Sequence, residues 1–151
     1  MSAEYSVITA QDVPANSSVI FTASPVPCVR GLIYHRDGSG LFRLANRFFR
    51  MNIMNGWRRN STYQVSFHGN IQIPTDPAGT VETISLAIAV DGEVDPASIM
   101  EITPAAAGEP GNVGMDLTVT VPYLCGCSTV SVRNVSTQTI TVNNAVIAFD
   151  E

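Results

Sequence analysis

Three cysteines, Cys28, Cys125 and Cys127, and two histidines, His35 and His68, are the residues of this chain best suited to hold a metal. A structural zinc site takes four thiolate or imidazole ligands, usually as two closely spaced pairs. Cys125-Gly126-Cys127 supplies one half-site, but no second pair stands at a matching spacing, so the triplet reads as packing or a turn, and no metal or cofactor is expected. The odd cysteine count, with neither a positive nor an apolar stretch in Met1-Ser2-Ala3-Glu4-Tyr5, argues against a secreted disulfide framework. One bridge from Cys28 to Cys125 or Cys127 stays open.

Catalytic chemistry finds little footing. Serines are plentiful, yet no Gly-X-Ser-X-Gly elbow occurs, and Asp37-Gly38-Ser39-Gly40 lacks its first glycine and reads as a turn. All eight basic residues are arginine, and without a lysine the chain cannot run P-loop, kinase or Schiff-base chemistry. His35-Arg36-Asp37 imitates a kinase catalytic loop, but the asparagine required five residues later is Phe42. Asp91, Glu93 and Asp95 imitate a calcium loop, but Pro96 and Ile102 occupy the positions that need glycine and glutamate. No catalytic residue is expected, and the chain reads as a non-enzyme.

The strongest chemical signal is a basic, aromatic stretch. Seven arginines between Arg30 and Arg59 meet one acid, Asp37, which makes that segment +6 and leaves −11 for the rest of a chain whose net charge is −5. Such a split suits complementary surfaces that meet between copies or on an acidic partner. A nucleic-acid binder would be basic overall, so nucleic acid is the less favoured partner. Within residues 45–60, Arg47, Phe48, Phe49, Arg50, Trp57, Arg58 and Arg59 combine guanidinium forks with flat rings, which are good anchors of a protein interface. The competing readings are a solvated loop whose arginine stems cover apolar surface, and a platform that stacks nucleobases.

The elements that position this stretch are strands. The chain has 17 Val, 12 Ile and 13 Thr against 6 Leu, a ratio that fits pleated surfaces better than helices. No apolar run approaches the ~18 residues of a membrane helix, so no membrane is expected. From Thr62 to Ile73, Tyr63, Val65, Phe67, Ile71 and Ile73 alternate with polar residues, as in a half-buried strand. Gly69 falls on the apolar phase, where a bulge or the close approach of another backbone is expected. Further strands are expected at 83–90, 97–103, 113–121, 129–134 and 139–149, with a tight turn at Asp91-Gly92 and a bulge at Asn143-Asn144 where the apolar phase shifts. Between 83 and 90 the outer face carries only Ser85, Ala87 and Ala89, small enough for something to cover it. The first third is less regular, with short candidates at 18–22, 29–34 and 41–44. About eight strands at hairpin spacing, with no βαβ crossover, give one all-β domain over 1–151: an antiparallel β-sandwich of jelly-roll type, with residues 45–60 as an excursion.

Particular strings carry a resemblance over nearly the whole chain. They are Val19-Ile20-Phe21-Thr22 with Pro25-Val26-Pro27-Cys28, Tyr34 to Gly40, Tyr63-Gln64-Val65-Ser66-Phe67 with Gly69-Asn70-Ile71, and Ile84 to Ala89 with Asp91-Gly92-Glu93. Thr103-Pro104-Ala105-Ala106, Cys125-Gly126-Cys127 before Thr129 to Val132, and Val142-Asn143-Asn144-Ala145 complete the set. In these the chain resembles small jelly-roll proteins of gut Firmicutes and their phages, of the C1q/TNF type and like the C-terminal domains of collagen-like exosporium proteins. The resemblance implies a homotrimer with a structural or adhesive role, in which Ala87 and Ala89 permit close approach of subunits. With no collagen-like stalk or signal peptide in view, it favours a phage virion component on the outer capsid surface, made in the host cytoplasm: a capsid decoration protein or a head fibre. The major capsid protein is then the expected partner, gripped by residues 45–60, where many relatives are shorter and cysteine-rich. The rival is an adhesin or carbohydrate-binding knob in which Trp57 or Tyr123 stacks on a host-surface glycan.

Overall fold

The structure is a computed structural model that describes residues 2–28, 31–50, 59–124 and 127–151. Alternation of apolar and polar residues becomes alternation of inward and outward side chains along the longest strands. The strand β6 (Ser61–Gln72) buries Tyr63, Val65, Phe67, Gly69 and Ile71. It pairs along its length with β10 (Gly111–Val121), from Gly111↔Ile71 to Val121↔Ser61. On its other side lies β12 (Ile140–Asp150), followed by β1 (Ser2–Val7) and β3 (Ala23–Val26), while β2 (Gln11–Val13) also pairs with β12. The second sheet runs β4 (Ile33–His35), β5 (Phe42–Ala45), β11 (Cys127–Asn134), β7 (Ile84–Val90) and β8 (Glu93–Val94), with β9 (Met100–Ile102) also on β7. Every strand pairing described is antiparallel. The two sheets enclose one core, so the expected jelly-roll sandwich is the fold found.

Aromatic rings fill the middle of that core. Tyr5, Phe42, Phe149, Phe21 and Phe67 meet mostly edge to face with centroids 4.9–6.4 Å apart, the geometry that ring quadrupoles favour. His35 joins them rather than solvent. Its ring stacks on Phe42 at 4.3 Å, its side chain is 0 % exposed, and Nε2 lies 2.9 Å from the carbonyl oxygen of Ser39.

Two local signals landed where expected. The β12–β6 register shifts between Val142 and Asn144, and a Cβ on Gly69 would stand 2.8 Å from the Asn144 carbonyl oxygen, so glycine is what lets the bulged backbone approach. Asp91 and Gly92, at φ 53° and 87°, form the two-residue turn between β7 and β8, where both central residues need positive φ.

Other expectations are corrected. Residues 18–22 form no continuous strand, because they pass from one sheet to the other: Val19 donates to Val132 of β11, and Thr22 donates to Ser6 of β1. The stretch expected as a strand at 97–103 is split into a 3-10 turn, Pro96–Ser98, and β9. Asp95 caps that turn by accepting from Ala97 N–H, and Ser98 Oγ accepts from Ile88 N–H, occupying β7 backbone between its contacts with β8 and β9. The strands number twelve rather than about eight among the described residues, the surplus being mainly pieces of two to four residues at the edges.

Candidate functional site

The excursion at 45–60 leaves the sandwich at the end of β5 and returns into β6. Asn46, fully buried, fastens its two ends. The side-chain amide Nδ2 donates to the carbonyls of Arg59 and Val121, each at 2.9 Å, while Oδ1 accepts from Phe48 N–H at 2.9 Å. That last bond is an N-cap on the single helical turn α1 (Arg47–Arg50). Arg47 N–H donates to Ser61 Oγ at 2.8 Å, and the Tyr63 hydroxyl donates to the Ala45 carbonyl. The root is therefore held by side chains drawn from β6 and from the chain just before α1.

Of the seven residues expected at a partner contact, the structure places Arg47, Phe48 and Arg59 together at this root. Arg47 stands 5.6 Å from the centre of the Phe48 ring and 3.3 Å from Glu151 Oε1, so its charge is shared between a ring face and a carboxylate. Arg59 is exposed. Trp57 and Arg58 lie outside the described residues, as do the side chains of Phe49 and Arg50. Tyr123, the other aromatic considered for a sugar face, is half-buried beside the root, its N–H donating to Asn60 Oδ1 at 3.3 Å. Leu124 next to it is 84 % exposed, an apolar side chain that sequence alternation did not single out.

Ala87 and Ala89 are 0 % and 1 % exposed within one chain, opposite Arg133 and Ser131 of β11. Both small side chains are thus already covered, and neither presents area of its own to a second copy.

The remaining chemical candidates do structural work. Asp91 Oδ1 accepts from Thr129 N–H, and Asp95 caps the 3-10 turn. Among the described residues no three His, Cys, Asp or Glu side chains come together as a metal site. No disulfide joins Cys28 to Cys127, and Cys125 lies outside the described residues. Burial raises the Tyr5 phenol above its ordinary value of 10.0, helped by the charges of Cys28 and Asp37 and opposed by a hydrogen bond with the Cys28 backbone.

No protein-family model matches the sequence, and no curated protein matches it either. Solved structures do. The globular domain of zebrafish complement 1qA protein superposes with a TM-score of 0.61 at 9 % identity, covering 99 % of this chain and 94 % of that one. Eiger TNF from S. frugiperda gives the same score and identity over 99 % of this chain and 90 % of that one. At such identity the similarity is one of backbone path, and what it establishes is that this chain folds as a C1q/TNF-like jelly roll.

Proposed function

We propose that the protein is a non-enzymatic structural module: a homotrimer on the outer capsid surface of a bacteriophage, as a decoration or head-fibre protein, that grips the major capsid protein through residues 45–60. The observation that carries the reading is the clamped root. Four arginines and three aromatics lie between Asn46 and Asn60, and both ends of that stretch are fastened to the sandwich by Asn46 and Ser61. Exposed Leu124 beside the root adds apolar area where a protein partner would seat. The virion setting rests on the resemblance of the strings quoted above to phage jelly-roll proteins, and the trimer is supported by the C1q/TNF-like fold together with the split of charge along the chain. Exposed ion pairs contribute only about 0–1 kcal/mol each, so apolar burial supplies most of any contact.

Light scattering coupled to size exclusion should give a mass near three times 16.1 kDa. The double variant Arg58→Glu/Arg59→Glu should keep that mass and its melting temperature while losing binding to purified capsids. Unchanged capsid binding removes the segment from the contact, and a stable monomer removes the trimer.

A further inference from the structure

The outward face of β4 and β5, in the second sheet, gathers cationic and apolar side chains that the fold leaves unpaired. Ile33, His35, Phe42 and Leu44 point into the core, so Tyr34 and Arg43 point away from it, and the register sets these two directly opposite each other. Cross-strand partners have Cβ atoms ~5 Å apart. Tyr34 is 68 % exposed, and Leu41, which keeps the phase of Arg43 on the far side of buried Phe42, is 51 % exposed. Ile20 adds a third exposed apolar side chain beside them. It is held there because Phe21 bridges to Ser39, and because Val19 packs on Gly40, whose Cβ would stand 2.7 Å from the Val19 carbonyl oxygen. Arg36, also exposed, follows β4 at the turn that leads to β5.

Neither the Arg36 nor the Arg43 guanidinium has a hydrogen bond or an ion pair among the described residues, whereas Arg47 is paired with Glu151. The nearby carboxylates are engaged elsewhere. Asp37 Oδ1 accepts from Ser24 Oγ at 3.2 Å and lies 3.8 Å from His35 Nδ1, and Asp91 Oδ1 accepts from Thr129 N–H, on the strand next to Arg43. The platform is rigid. His35 stacks on Phe42 beneath Tyr34 and Arg43, and at the turn Ser39 N–H and Gly38 N–H donate to the carbonyls of Arg36 and Phe21, each at 2.9 Å. Little ordering cost is therefore left for binding. Arginine and tyrosine around an aliphatic centre are the composition of the energetic centre of a protein contact. A long polyanion suits the face poorly, because the chain outside residues 30–59 carries −11 and repels it, and because Tyr34, Leu41 and Ile20 call for an apolar counterpart.

We propose that this face docks an acidic segment of another protein, whose carboxylates pair with Arg36 and Arg43 while an aliphatic or aromatic side chain between them seats on Tyr34, Leu41 and Ile20. The surface lies on the sandwich itself, apart from residues 45–60, and does not depend on the capsid role. The test is selection of a random dodecapeptide display library on the full chain, followed by fluorescence anisotropy of the enriched peptides at low and at high salt. Enriched peptides should carry two or more Asp or Glu around a Leu, Ile, Phe or Trp, and should bind more weakly at high salt. Arg36→Glu/Arg43→Glu should weaken them about tenfold and Tyr34→Ala about fivefold, at an unchanged melting temperature because all three side chains are exposed. The proposal is overturned if the enriched peptides share no acidic consensus, or if both variants bind them as tightly as the wild type. It is overturned too if heparin binds as tightly and Tyr34→Ala leaves that binding unchanged, which would make the face a general polyanion site. A lower mass for Arg36→Glu/Arg43→Glu than for the wild type in light scattering would also overturn it, since a second copy would then occupy the face.

Discussion

Replacing Gly69 by alanine adds one carbon where the sheet has no room for it. That Cβ would stand 2.8 Å from the Asn144 carbonyl oxygen, 3.2 Å from Ala145 Cβ and 3.3 Å from Phe67 Cζ. A Cβ essentially never sits within 3.0 Å of a non-bonded heavy atom, and the nearest one here is a backbone oxygen in the bulge that sets the β12–β6 register. The bulge must therefore shift, and Phe67 Cζ must also give by a few tenths of an ångström. Overpacking of this kind costs about 1–3 kcal/mol, partly offset by the ~0.4–1 kcal/mol gained when alanine restricts the unfolded chain. The net loss, centred on ~1.3 kcal/mol and at most ~2.6 kcal/mol, lowers the melting temperature by about 3–5 °C at its centre for a domain of this size. Gly114→Ala is the internal control, since its Cβ would meet nothing nearer than 3.7 Å. It should melt at the wild-type temperature or slightly above. Thermal unfolding followed by circular dichroism, with urea titration as a second measure, decides the matter. If Gly69→Ala melts no lower than Gly114→Ala, the close approach of the two backbones is not what selects glycine there.

Two further outcomes are expected. Asn134 is buried and its side chain makes three bonds, donating to the carbonyls of Val13 and Gln138 and accepting from Ser136 N–H, each at 2.9 Å; Asn134→Ala should cost about 2–4 kcal/mol in urea unfolding, because buried backbone groups lose their partners. The raised Tyr5 phenol means the folded chain holds that proton more tightly than the unfolded chain, so this contribution is complete below pH 10.0 and is lost as pH rises through the folded value. Tyr5→Phe should flatten the alkaline fall of unfolding free energy above pH 10, whatever it does to the level at neutral pH.

Period-2 alternation made the long strands legible because one of their faces is buried and the other is wet. Gly69, Asp91-Gly92 and the phase change near Asn143-Asn144 were readable too, since each breaks a pattern that is otherwise regular. β1 escaped notice: Ala3, Tyr5 and Val7 do alternate, but alanine hides the apolar phase. The edge strands β2, β3, β8 and β9 have two to four residues, too few for any period to emerge. Residues 18–22 look like a strand because Val19-Ile20-Phe21-Thr22 is a β-forming run, but the backbone bonds of Val19 and Thr22 go to two different sheets, which is tertiary information. The arginine and aromatic segment stood out by composition, whereas the asparagine that fastens it did not, because a lone Asn46 carries no pattern. The pairing of Tyr34 with Arg43 was invisible for the same reason, the two being brought together by register alone.

The clamp at Asn46 separates the cost of folding from the identity of what is displayed. Once both ends of a loop are pinned, changing its length alters closure entropy only slowly, by about 0.6 kcal/mol per doubling. The bonds to Arg59 and Val121 use main-chain carbonyls, which any replacement sequence would supply equally well. The stretch between Asn46 and Arg59 is thus exchangeable without loss of the bonds that pin it. On the capsid-binding role proposed for this stretch, a lineage that carries the jelly roll acquires a new target by rewriting about a dozen residues while the sheets stay under unrelated selection.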